Sequence, residues 1–176
     1  MEQNNYGGKN YQVKAERIDH VGDRIYQSVL PTGADLLSKG LQLLSSRDYR
    51  NATDILRDAI KAEPLLSDSY YYWAISSLGG KKPRKLDIWK VQDIEEKLNA
   101  AISIDSKASR YYALYAIVKH GYYVMNSLIE SSPTSVQLFK QSESIKPEQA
   151  REIFYHLHDP SNPYWMNLYN KFGKLN

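Results

Sequence analysis

The chain has 176 residues, of which 42% are hydrophobic and 24% are charged, a composition typical of one folded domain. The net charge of +3 is too small for attraction of the whole protein to nucleic acid to be the leading hypothesis. The absence of cysteine excludes disulfides, thiolate metal sites and cysteine catalysis. We find neither a secretory leader nor an apolar run that could span a bilayer, and we expect a cytoplasmic protein that does not bind membranes.

Residues 1–30 differ in character from the rest of the chain. The first ten residues are rich in Asn and Gly, and apolar and polar residues then alternate around Val21-Gly22-Asp23. This pattern predicts a short β-hairpin or extended segment. Because an exposed hairpin edge pairs readily with another copy, residues 1–30 are a candidate site of homo-oligomerisation.

Two pairs of helices follow. Apolar residues spaced three and four apart predict helices over 33–45 and 48–62, and Gly40 inside the first indicates a close approach of two helices. The second pair is predicted over 68–78 and from Val91 or Asp93 to 104. An insertion that contains four positive charges separates its two helices.

The last part of the chain predicts further helices. One begins near Ser109 and continues, with a bend at His120-Gly121, to residue 128 or 129. Short helices are predicted over 135–141 and 147–157, the second with Pro in its first turn. Four apolar residues of the tail are expected to dock on the helices as a cap, namely Trp165, Leu168, Tyr169 and Phe172.

The large, small and proline positions of the first pair match those of a known repeat, at Leu36, Gly40, Leu43, Tyr49, Ala52, Leu56, Ala59 and Pro64. On these residues the stretch from 33 to 118 resembles tetratricopeptide-repeat (TPR) proteins of a bacterial type. The resemblance implies an all-α fold, a TPR-like α-solenoid of about six or seven helices in antiparallel pairs. The repeats would occupy 33–66, 67–108 and 109–130 within a helical region 31–131, with helices in 132–176 capping the solenoid.

The same resemblance implies a groove that takes a partner peptide or helix. The positions that would face this groove are Leu37, Leu41, Tyr71, Ile75, Arg110, Ala113 and Ile117. Family members that clamp a chaperone's terminal carboxylate have Lys and Asn where this chain has Leu37 and Leu41. An apolar, tyrosine-lined groove favours a hydrophobic peptide or an amphipathic helix. The alternative is that the C-terminal helix of the chain itself fills the groove.

The basic insertion is a second candidate site. Lys81, Lys82, Arg84, Lys85 and Trp89 combine positive charge with an aromatic ring, a composition that contacts phosphates or acidic partners. The alternative is a solvated loop whose charges balance the neighbouring carboxylates.

No catalytic or cofactor site emerges from the sequence. The segment from His156 to Asp159 contains two histidines and an aspartate, but residues two apart on a helix point in different directions, so we expect no metal site. The sequence has no phosphate-binding loop, dinucleotide fingerprint or nucleophile elbow. We therefore expect no enzyme activity and no cofactor.

These observations favour a non-enzymatic adaptor or scaffold that binds another protein. The Asn- and Gly-rich opening resembles leaders on proteins of bacterial multi-gene signalling and defence systems, which implies an accessory subunit of such a system. One alternative is a nucleic-acid-associated factor that uses the basic loop 81–90. Another is an oligomerisation module that acts through its N-terminal segment.

Overall fold

The computed structural model describes residues 31–173, and this part of the chain contains eight α-helices and no strand. In chain order the helices are α1 (Gly33–Ser45), α2 (Tyr49–Ala62), α3 (Ser67–Leu78), α4 (Ile88–Ile104), α5 (Ser109–Tyr122), α6 (Ser135–Gln141), α7 (Pro147–His156) and α8 (Pro163–Phe172). The expectation of an all-α fold is confirmed over these residues. The β-hairpin expected in residues 1–30 lies outside them.

Two predicted boundaries are wrong. Helix α4 begins at Ile88 rather than at Val91 or Asp93, because Asp87 holds the extended backbone that precedes a helix. Helix α5 ends at Tyr122 instead of continuing to residue 128 or 129. A short 3-10 helix follows, and Ser127 takes a left-handed backbone conformation with φ of 59° that stops further helix.

Local side-chain contacts fix several of these boundaries. The hydroxyl of Thr32 accepts a hydrogen bond from the Asp35 amide at 3.1 Å, and the Asp35 carboxylate accepts one from the Thr32 amide at 2.9 Å. This reciprocal capping begins α1. Asn162 begins α8 in a similar way by accepting from the amides of Tyr164 and Trp165, at 3.0 and 3.3 Å.

Helices α1 to α6 pack in chain order, each against the next, and α1 also contacts α3. A Cβ atom at Gly40 would lie 2.6 Å from Leu56, so glycine is what allows α1 to approach α2 this closely. Ala52, Leu56 and Ala59 on α2 are completely buried. The two helices therefore meet through a small residue on one side and an apolar stripe on the other.

The C-terminal helices attach to the others through α5. Helix α8 packs on α5 and α7, and its Trp165, Leu168 and Phe172 are buried. The side-chain amide of Asn162 donates to the Ile117 carbonyl at 2.9 Å, which ties the start of α8 to α5. Helix α7 extends from this attachment across α5, α3 and the α1–α2 turn, through the contacts described next.

Candidate functional site

The predicted groove positions differ greatly in accessibility. Tyr71, Ile75 and Ile117 are buried, as is Ala113, whereas Leu37 and Leu41 are half-buried. A side chain with no accessible surface cannot contact a partner, so the binding role predicted for Tyr71, Ile75 and Ile117 does not fit this structure. Tyr71 lies against α7, where its hydroxyl donates to Glu152 at 3.4 Å, whereas Ile75 and Ile117 belong to the hydrophobic core.

We call the surface that receives α7 the α7-binding face. It is formed by Leu41, Leu44 and Ser45 of α1, Tyr71 and Tyr72 of α3, and Arg110 of α5. Glu152 of α7 points into its centre, where it accepts hydrogen bonds from the hydroxyls of Tyr72 at 2.8 Å and Tyr71 at 3.4 Å. The polar contact between Glu152 and two tyrosines therefore holds α7 on α3.

Arg110 lies at the centre of this contact, with its side chain only 18% exposed. Its guanidinium forms an ion pair with Asp68 and lies 4.0 Å from Oε2 of Glu152. The same group lies over the rings of three tyrosines, 5.1 Å from the centre of Tyr71 and 5.5 Å from those of Tyr72 and Tyr111. A guanidinium contacts aromatic faces and carboxylates at once, so Arg110 links α3, α5 and α7.

Burial affects the ionisation of Glu152. Removal from water raises the pKa of its carboxyl, and the hydrogen bond from Tyr72 and the positive charge of Arg110 oppose that rise. The net effect is a raised pKa for Glu152, which Arg110 and the tyrosines keep from rising further.

The C-terminal end of α7 is attached to the α1–α2 turn. The hydroxyl of Tyr155 donates to the Ser45 carbonyl at 2.7 Å, and Arg47 donates to the Tyr155 carbonyl at 3.3 Å while its guanidinium covers the Tyr155 ring. His156 lies 3.4 Å from the Tyr49 hydroxyl. Burial and the nearby charge of Arg47 lower the pKa of His156 to about 4, so this imidazole is neutral at pH 7.

A cleft of about 350 Å³ remains open beside α7. Leu41, Leu44 and Tyr72 line it from the α7-binding face, and Glu152 and Tyr155 line it from α7. Leu41 is the one predicted groove residue among those that line this cleft. The α7-binding face is thus partly occupied and partly accessible.

The residues of the basic insertion do not form one surface. Lys82 is paired with Asp159, a fully buried carboxylate, at 3.4 Å, so its charge serves a contact within the fold. Lys81 lines one cleft and Trp89 lines an adjoining cleft that shares Thr53 and Lys90 with it, whereas neither Arg84 nor Lys85 lines either cleft. The sequence located the charged insertion but could not show which of its residues come together.

Two features were missed by sequence reasoning. Arg50 of α2 lines the same cleft as Lys81, across a separation of 31 positions that no local pattern could reveal. Lys119 of α5 is 1% exposed and donates to the Ser131 carbonyl at 2.7 Å. The one sign of this burial in the sequence is that Lys119 follows a run of apolar residues.

We next consider metal ligands and membrane-spanning helices in the described residues. Within 31–173, no three His, Asp or Glu side chains are grouped so that they could hold a metal ion. Nor is any helix in this range long and apolar enough to cross a membrane.

The chain matches no protein-family model and no curated protein.

Proposed function

We propose that this protein is a non-enzymatic, TPR-like adaptor that binds a helix or peptide of another protein on the α7-binding face. The observation that carries the proposal is the way α7 itself is held, across α1, α3 and α5, by Tyr155, Glu152 and Arg110. A surface that binds one helix of its own chain has the shape and chemistry needed to bind another.

The TPR-like arrangement is supported by the order of packing. Each helix from α1 to α6 packs on its neighbour in the chain, and α1 contacts α3, as expected for stacked helix pairs over 33–66, 67–108 and 109–130. The small position Gly40 lies against Leu56, and Ala52 and Ala59 are buried. These are the positions on which the resemblance to the family rests.

The partner would bind at the accessible part of the α7-binding face. Leu41 is half-buried on α1, and Tyr155 is about half exposed beside the open cleft. Apolar and aromatic groups with few charges favour the apolar side of an amphipathic helix or a hydrophobic peptide. We propose further that the protein acts in a bacterial cytoplasm as an accessory subunit of a signalling or defence system.

Affinity capture from the native host tests this proposal with a matched pair of variants. Leu41→Glu places a charge in the cleft, whereas Leu65→Glu makes the same change at a position that is 79% exposed and outside the face. We expect Leu41→Glu to lose the captured partner and Leu65→Glu to retain it.

Thermal unfolding of both variants shows whether each is folded, so that a lost partner is not caused by a lost fold. Leu37→Glu, at a half-buried leucine one turn before Leu41 that the family resemblance assigns to the groove, provides a second variant in case Leu41→Glu unfolds. If the charged leucine variants fold and capture the same proteins as the wild type, the α7-binding face is not the partner site.

A further inference from the structure

A cleft of about 440 Å³ lies between α2 and the segment that leads from α3 into α4. Three cations line it, Arg50 from α2, Lys81 after α3 and Lys90 from α4. The hydroxyls of Thr53 and Ser76 in its wall already donate within the fold, to the carbonyls of Tyr49 and Trp73. We call it the α2–α4 cleft. Positive charges that converge on one cavity are groups that bind phosphate oxygens.

The three cations are available to a ligand. Within residues 31–173 none of them forms an ion pair, whereas Lys82 next to them is paired with Asp159. The one carboxylate that lines the cleft belongs to Asp54, and its charge is compensated by Arg57 at 2.8 Å. The α2–α4 cleft therefore carries a net positive charge, although the whole protein is nearly neutral.

An exposed indole lies beside this cleft. Trp89 is 76% exposed, whereas the other two tryptophans, Trp73 and Trp165, are buried. Trp89 lines a second cleft of about 580 Å³ that shares Thr53 and Lys90 with the first. A largely exposed tryptophan next to free cations provides a surface on which an unpaired base can stack.

The carboxylates of the second cleft determine which end of an anionic, aromatic ligand would bind in which cleft. Asp87 and Asp93 lie on the Trp89 side, where they disfavour a phosphate, while the α2–α4 cleft holds the free cations. A ligand with an anionic part and an aromatic part would thus place its phosphate near Lys81 and its ring on Trp89.

We propose that this composite site binds single-stranded nucleic acid, with one phosphate among Arg50, Lys81 and Lys90 and the adjacent base stacked on Trp89. The site overlaps the basic loop 81–90 expected from the sequence in Lys81, Lys90 and Trp89. It differs because Lys82 is paired with Asp159, Arg84 and Lys85 line neither cleft, and Arg50 of α2 joins the cations. Duplex is disfavoured because its bases already stack on one another and offer no free face to Trp89.

Fluorescence anisotropy of a labelled oligothymidylate, titrated with the full chain at several salt concentrations, tests the proposal. We expect log affinity to fall linearly with log salt, with a slope of about −0.7 for each phosphate contacted. Stacking should also quench the fluorescence of Trp89. Trp89→Ala should weaken binding by about tenfold, the effect of losing one base–aromatic stack.

A pair of double variants with the same change in net charge provides the control. Lys81→Glu with Lys90→Glu reverses two charges of the cleft, and Lys39→Glu with Lys107→Glu reverses two exposed charges that do not line it. The first pair should weaken binding by at least about tenfold and the second by less than about twofold at low salt.

Several results would overturn the proposal. Equal weakening by the two double variants would mean that only net charge matters. Duplex of the same sequence binding as tightly as the single strand would remove the role of Trp89. Pyrophosphate or a phosphopeptide binding as tightly as the oligonucleotide, without quenching of tryptophan fluorescence, would assign the cleft to a different ligand.

Discussion

Replacing Arg110 with methionine should be among the most damaging single changes on the α7-binding face. Methionine keeps an unbranched apolar side chain of similar length but removes the guanidinium. The carboxylates of Asp68 and Glu152 then lose their cation, and the rings of Tyr71 and Tyr72 lose the group that covers them. Both the ion pairs and the cation–aromatic contacts are lost at once.

The magnitude follows from burial. Breaking a buried ion pair by removing one partner costs about 3–5 kcal/mol, and the 18% exposure of Arg110 reduces this to about 2–4 kcal/mol of unfolding free energy. Arg57→Met provides the matched control, because Arg57 also pairs with an aspartate but both side chains are at least half exposed. Its loss should cost less than about 0.5 kcal/mol.

Urea denaturation followed by far-ultraviolet circular dichroism measures both changes under the same conditions. Arg110→Met should lower the unfolding midpoint clearly, and Arg57→Met should leave it almost unchanged. If the two variants have the same midpoint, Arg110 is not the link among α3, α5 and α7 that its contacts indicate.

Three further predictions concern the helix contacts. Gly40→Ala should lower the free energy of unfolding in urea by about 1–3 kcal/mol, because the new Cβ would overlap Leu56. This loss should outweigh the better helix propensity of alanine, and a stabilised variant would contradict the close approach of α1 and α2. Ala52→Arg should unfold the α1–α2 pair and lower the melting temperature strongly, whereas Ala62→Arg at an exposed position should not; equal melting would refute the packing of α2. Since the pKa of His156 is about 4 in the folded protein and 6.5 ordinarily, the unfolded chain binds the proton first, and stability should fall by about 2–3 kcal/mol as pH drops from about 6.5 to about 4. That loss should be absent in His156→Gln, and an unchanged pH profile in this variant would exclude His156 as its source.

The helices could be predicted because their signals are local. The reciprocal cap at Thr32 and Asp35, the apolar spacing in α2 and the proline that begins α7 each act within a few residues. The predicted start of α4, Val91 or Asp93, was three or five residues too late, because Asp87 lies in the charged insertion and precedes the helix without a side-chain hydrogen bond to it. After α5, a left-handed serine ends the short 3-10 helix and stops the chain from continuing as helix, a conformation that sequence does not reveal.

The contents of the groove could not be predicted because its contacts join distant parts of the chain. Glu152 lies 80 positions from Tyr72, with which it shares a hydrogen bond, and 110 positions separate Tyr155 from Ser45. Periodicity correctly assigned Tyr71 to a helix, but it could not distinguish a side chain facing an open groove from one covered by α7. The sequence offered a C-terminal helix against these positions only as an alternative, and the structure shows α7 in contact with Tyr71 and Tyr72.

A double-mutant cycle between Tyr72 and Glu152 tests most directly whether α7 is held on this face. Tyr72→Phe and Glu152→Gln each alter one side of the 2.8 Å hydrogen bond, and the coupling energy is obtained from urea unfolding of the two single variants and the double variant. The control cycle replaces Glu152→Gln with Glu148→Gln, at an exposed residue in the first turn of α7. We predict a coupling of about 1–2 kcal/mol for Tyr72 with Glu152 and none for Tyr72 with Glu148. Equal coupling in the two cycles would contradict the claim that α7 binds α3 through this contact.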